Sequence, residues 1–352
     1  MWLTNLKVVD FTTLLPGPYA TLRLADLGCD VVKIEPPGGG DPARYTGPKV
    51  DGTGVVFLAT NRNKRSVVID LKTAEGCAEA LHLMADADVV IEGFRPGVMH
   101  KLGLDYESAK KAKQDVIYCS LTGYGQTGPL AQAAGHDLNY LAVSGLLSQF
   151  TDADGVPVQP TVQLADLLGG IAAVEAILAA LVRRGQTGEG SYLDVSMTDA
   201  STGLLPYHVL MQQAFGMERG LTELSGRLVC YHLYQTGDGQ TVSLAALEPK
   251  FWQNFCTAAG KSDWLQHQFT EAVPENLVYG ELTALFRSRT LAEWTEFGRN
   301  TDCCLQPVWS VEQVLVGDVA QARNTFVEAV SSEPGRYRQL HTRAGGQSPD
   351  VP

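Results

Sequence analysis

Positive charge is scarce in this chain. Its 27 lysines and arginines stand against 39 aspartates and glutamates, a net charge of −12. A field of that sign repels nucleic acid and anionic bilayers, so neither is expected as a partner, and an anionic ligand requires a local group of cations. The seven cysteines are odd in number and form no Cys-x-x-Cys, and the seven histidines form no His-x-x-x-His. That pattern gives neither a disulfide framework nor a zinc site; reduced thiols and no metal are expected. No run of eighteen apolar residues is free of charge or glycine-rich interruption, and Met1-Trp2-Leu3-Thr4-Asn5 lacks the basic flank and apolar core of a secretory leader. A soluble, cytoplasmic protein is expected. Internal repeats and low-complexity segments are also missing.

What is present is enough material for a large core. The 352 residues are 45% hydrophobic and 19% charged, which suits two domains or one large domain with an insertion. Leu6 to Phe11 reads as a buried strand, Pro16-Gly17-Pro18 as a turn, Tyr19 to Leu27 as a helix stopped by Gly28, and Asp30 to Glu35 as a second strand. This β-α-β order implies a parallel sheet. No Gly-x-Gly-x-x-Gly opens the first helix, so a nicotinamide dinucleotide is disfavoured. Further strands follow at Ser66–Asp70, Asp88–Glu92, Val116–Ser120 and Ser191–Ser196, with helices at Ala74–Ala85 and Leu167–Val182. From about Gly226 the texture changes to a β-hairpin, Val229–Tyr234 and Thr241–Ala245, and then to helices around Pro249–Ala259, Asn276–Arg287 and Leu291–Arg299. A smaller α+β unit is expected there, and the polar tail after Ser332 is expected to be mobile.

Two groups of residues carry chemistry. Arg62, Lys64, Arg65, Arg95 and Lys101 lie beside glycine, proline or strand ends in the first half. Ligands of open parallel sheets bind at the carboxyl ends of strands, and guanidinium groups suit phosphate oxygens, so these five are candidates for a phosphate-bearing ligand. The second group is His136, leaving the glycine-rich loop Gly123–Pro129, and Asp166 at the expected start of a long apolar helix. A carboxylate at a helix start is stabilised by the positive helix end, and the first-turn N–H groups are free to face a ligand. Facing each other across a pocket, His136 and Asp166 form a candidate acid–base pair. The bland alternative is a structural histidine and an N-capping aspartate.

Several stretches together resemble the CaiB/BaiF group, the class III coenzyme A transferases and their racemase relatives: Leu14-Leu15-Pro16-Gly17-Pro18 with Asp26-Leu27-Gly28, Lys33-Ile34-Glu35 through Gly40-Asp41, Asn61 to Ser66, Gly93 to Gly97 with Leu102-Gly103, Asp166 with Gly169-Gly170, and Gly185 to Gly190. The resemblance implies an α/β chain with a Rossmann-like coenzyme A domain over 1–205, completed by 318–352. It further implies a small α+β domain over 226–317, a linker over 206–225, and two subunits interlocked as a homodimer. It implies no cofactor beyond the coenzyme A moiety of an acyl-CoA thioester. Gly135-His136-Asp137-Leu138-Asn139-Tyr140-Leu141-Ala142-Val143-Ser144-Gly145 resembles the α-methylacyl-CoA racemase branch, and Ala246 to Trp252 resembles the racemase segment that carries a glutamate, here Glu248. Epimerisation of 2-methylacyl-CoA through an enolate is therefore the expected activity, with Asp166 and His136 exchanging the proton, Glu248 orienting the imidazole, and helix-start N–H groups beside Asp166 holding the enolate oxygen. The alternatives are a CoA-transferase with Asp166 as nucleophile and a coenzyme A-binding protein without catalysis. Pro36 stands where many relatives have an arginine that contacts coenzyme A.

Overall fold

The computed structural model describes residues 2–152, 154–328 and 337–341. Two units are distinguishable: Met1–Pro206 with Arg323–Pro352, and Tyr207–Ala322. In the first, strands and helices alternate as β1 (Lys7–Asp10), α1 (Pro16–Leu27), β2 (Asp30–Glu35), α2 (Val55–Thr60), β3 (Lys64–Val68), α3 (Ala74–Asp86), β4 (Val89–Glu92), α4 (Val98–Leu102), α5 (Tyr106–Ala112), β5 (Ile117–Thr122), α6 (Asp137–Val143), α7 (Leu164–Thr187), β6 (Ser191–Ser196) and α8 (Met197–Thr202). The six strands form one parallel sheet in the order β3-β2-β1-β4-β5-β6. This is the doubly wound Rossmann order, whose switch point lies between β1 and β4. Both faces are covered, so its central strands are continuous apolar runs. Val8, Ile91, Ile117 and Cys119 are buried with α1 and α7, whereas Val9, Val90 and Tyr118 are buried with α3 and α5.

Two local expectations need correction. Pro16-Gly17-Pro18 is the first turn of α1 rather than a separate turn, because proline at the first helical position gives up an N–H that has no intrahelical partner anyway. The long apolar helix begins at Leu164, three residues earlier than its hydrophobic run, so Asp166 is its third residue. By length and mean hydropathy α7 could cross a bilayer; here its Ala165, Ala173, Ile177 and Ala180 are buried in the core beneath the sheet. A methyl at Gly170 would stand 2.7 Å from the Pro16 carbonyl oxygen, which lets α1 approach α7 closely. Overpacking there would cost about 1–3 kcal/mol.

The second unit begins at Tyr207 within a helix, α9 (Pro206–Phe215), where a linker was expected. It continues with β7 (Tyr231–Gln235), β8 (Thr241–Ala245), α10 (Pro249–Ala258), α11 (Leu277–Arg287), α12 (Leu291–Asn300), β9 (Leu305–Pro307), α13 (Val311–Val316) and α14 (Asp318–Ala322). β7 and β8 form the anticipated antiparallel hairpin, and β9 adds a third strand that the sequence did not suggest. Its core is aromatic: Trp252, Phe255, Phe286 and Trp294 are fully buried, and both indoles donate to backbone carbonyls. After it, β10 (Phe326–Glu328) and β11 (Arg338–Leu340) pair antiparallel in the first unit, where Gln339 Nε2 donates to the Leu58 carbonyl at 2.8 Å. Most of the tail expected to be mobile lies outside the described residues.

Candidate active site

The loops that leave β1, β4 and β5 at their carboxyl ends enclose a cavity of about 260 Å³. Thr12, Thr13, Leu14, Pro16 and Gly17 follow β1; Gly93, Phe94, Arg95 and Pro96 follow β4; Gly123 and Tyr124 follow β5; His136, Tyr140 and Asp166 complete the wall. The switch point of the sheet and the candidate acid–base pair thus coincide. His136 is exposed and is the N-cap residue of α6, where Asn139 Oδ1 accepts from its backbone N–H at 3.1 Å. Tyr140, one turn on, donates its hydroxyl to the Gly135 carbonyl and packs edge-on against Tyr124. A methyl on Gly123 or Gly135 would stand 2.2 or 2.6 Å from the Tyr140 ring, so this position of the ring depends on both glycines.

Asp166 is held by a residue that the motif had hidden in plain view. Asp137 Oδ1 accepts from the backbone N–H groups of Ala165 at 2.7 Å and Asp166 at 3.2 Å, clamping the start of α7 to the start of α6. The expectation that these first-turn N–H groups hold a ligand oxygen is therefore corrected: Asp137 occupies them. The same contact places a second carboxylate beside Asp166. Burial pushes the Asp166 carboxyl up to about 7, and the charge of Asp137 adds to the effect. Asp137→Asn leaves an oxygen for both N–H groups and removes only the charge. The acid limb of the pH profile of kcat/KM, expected near pH 7 in the wild type, should move to lower pH while staying above the ordinary carboxylate range, since burial is the larger cause. An unmoved limb would separate Asp137 from the tuning of Asp166.

The model of CoA-transferase family III matches residues 3–348. The chain belongs to CoA-transferase family III. Human α-methylacyl-CoA racemase is 35% identical over 332 residues, covering 93% of this chain and 83% of that protein. The succinate–glutarate CoA-transferase of Agrobacterium fabrum is 44% identical over 342 residues, covering 93% and 84%. Among solved structures, a CaiB/BaiF family protein from Brucella suis aligns with a TM-score of 0.82 at 31% identity over 99% of this chain and 93% of its own. Family III therefore supplies an enzymatic context containing both a racemase and transferases.

Within this family III site, the five candidate cations have different fates. Lys64 is corrected from ligand contact to internal support: its side chain is 1% exposed, and its Nζ lies 3.3 Å from Asp10, 2.9 Å from the Pro18 carbonyl and 2.8 Å from Asn61 Oδ1. Three partners occupy all three ammonium protons. Arg62 pairs with Asp26 on α1 and is mostly buried. Arg95 lines the cavity, where its charge opposes the upward shift of the Tyr140 phenol, while Arg65 on β3 and Lys101 on α4 are exposed. Glu248 belongs to the second unit, as the N-cap residue of α10. What the sequence reading missed is the supporting layer: Asp137, Tyr140 and the buried partners of Lys64. The adjacent Gly-His-Asp triplet was the available signal for Asp137.

Proposed function

We propose that this family III enzyme interconverts the epimers of 2-methylacyl-CoA thioesters. The observation that carries the reading is that the His136 imidazole and the Asp166 carboxyl, the latter raised to about 7, line one cavity. One group, in its basic form, takes the α proton as the C–H bond breaks, leaving an enolate. The other, in its acidic form, delivers a proton to the opposite face of the same carbon. Substrate handedness decides which group plays which part, and a carboxyl with a pKa near neutrality serves as either. Arg95, with Arg65 and Lys101, would supply positive charge toward the coenzyme A phosphates. No metal or cofactor beyond the substrate's coenzyme A enters these steps.

The transferase reading is favoured by one observation, the higher identity to the Agrobacterium enzyme. In that reading Asp166 attacks the thioester carbonyl and His136 only lines the cavity. One enantiomer of a 2-methylacyl-CoA incubated in deuterium oxide separates the two. Deuterium at the α carbon with loss of optical purity is the expected result. Turnover only on addition of a free carboxylate acceptor would overturn the racemase reading.

A further inference from the structure

Lys33-Ile34-Glu35 and Gly40-Asp41 lie outside the cavity, and no role in binding or proton transfer accounts for them. They form a buried charged network with Asp10 and Lys64. Asp10, Lys33 and Asp41 are 0% exposed. Lys33 Nζ lies 2.9 Å from Asp41 Oδ2 and donates to the Thr12 carbonyl at 2.7 Å. Asp41 Oδ1 accepts from the backbone N–H of Leu14 at 3.0 Å and of Ala43 at 2.9 Å. Asp10 accepts from the Thr12 N–H at 2.9 Å and from its hydroxyl. The Asp41 N–H in turn donates to Glu35 Oε2 at 2.8 Å, and Arg44 locks Glu35 through two contacts at 2.6 and 2.7 Å. Gly40 is required at this corner: its φ is +76°, and a methyl there would stand 2.2 Å from Glu35 Oε2.

Lys33, Asp10 and Asp41 contact Thr12 and Leu14 directly, and these two residues belong to the β1 wall of the cavity that contains Asp166. Leu14 has a φ of +66°, a left-handed conformation that a non-glycine residue rarely adopts without support. Burying five ionisable groups is a poor way to gain stability, because desolvation offsets much of the attraction within each pair. A held conformation is the better explanation for them.

We propose that Asp41, backed by Lys33, is a positioning residue that holds the Leu14 wall of the cavity in its left-handed conformation for acyl-CoA turnover. The test is a double-variant cycle, and it rests on the proposed chemistry only for its readout. Wild-type turnover is measured first, as α-deuteration or as CoA transfer. Failure to racemise counts there against the proposed function, and the cycle is then read in transfer. Asp41→Ala should lower kcat/KM by about tenfold to a hundredfold, the size expected when a reacting geometry slips by up to an ångström. In a Leu14→Gly background, where positive φ carries no steric strain, the same substitution should cost much less. Equal losses in both backgrounds would mark Asp41 as a support of general stability and overturn the proposal. So would unchanged turnover in Asp41→Ala. If Asp41→Ala does not fold, Asp41→Asn passes through the same cycle: it strips the charge facing Lys33 but keeps an oxygen for the Leu14 N–H. A loss confined to the Leu14 background supports the proposal, and equal losses in both overturn it.

Discussion

Asp166→Asn is expected to abolish both α-proton exchange and racemisation, with a loss in kcat of at least about a thousandfold, the upper part of the range for a positioned acid–base group. The amide preserves the shape of the side chain but cannot take up the proton. Folding serves as an independent control. In the wild type the carboxyl is raised from 3.8 to about 7, so the folded state favours its protonated form. The associated stability is fully present below about pH 4 and is lost as pH rises through 7. The neutral amide has no such dependence. Thermal melts at pH 8 should therefore show Asp166→Asn at least as stable as the wild type, while the assay shows it inactive. A folded Asn variant that racemises at more than a few per cent of the wild-type rate would remove Asp166 from the chemistry, and an acyl adduct trapped on wild-type Asp166 would move the assignment to the transferase.

The second large effect is expected at His136. Replacing it by alanine should stop racemisation, because one face of the enolate loses its proton donor, while the enantiomer whose proton faces Asp166 retains slow exchange with deuterium oxide. Loss of racemisation by about a hundredfold or more with exchange surviving for one enantiomer alone is a pattern that general destabilisation does not produce. Wild-type racemisation by His136→Ala would sink the two-base mechanism.

The parallel sheet was legible in the sequence because each strand is a short apolar run bounded by turn residues, as in Asp30–Glu35 and Ser191–Ser196, whose limits coincide with the observed strands. The cavity residues were legible for a different reason: His136 and Asp166 are chemically unusual where they stand. Ion pairing was not legible. Lys64 and Arg62 read as candidates for a phosphate-bearing ligand because a sequence gives their type and not their partners, and Asp10 is 54 positions away from the Lys64 side chain that it pairs with. The α9 helix was missed because 206–225 was read only as a linker, although Pro206 fits the first turn of a helix. Leu305–Pro307 is three residues long, too short for alternation to show, and it is a strand only because β8 offers it an edge.

The clamp between Asp137 and the start of α7 bears on how one scaffold hosts two reactions. In acyl transfer a carboxylate must first attack and then depart from a mixed anhydride, and its departure becomes slower as its proton affinity rises. Asp137 keeps a negative charge beside Asp166 and occupies the helix-end N–H groups of Ala165 and Asp166, and under the proposed function both effects would favour proton transfer by this carboxyl over its departure from an anhydride. On that reading, the balance between moving a proton and moving an acyl group would be tuned by a side chain on the neighbouring helix, without any change to the residue that touches the substrate.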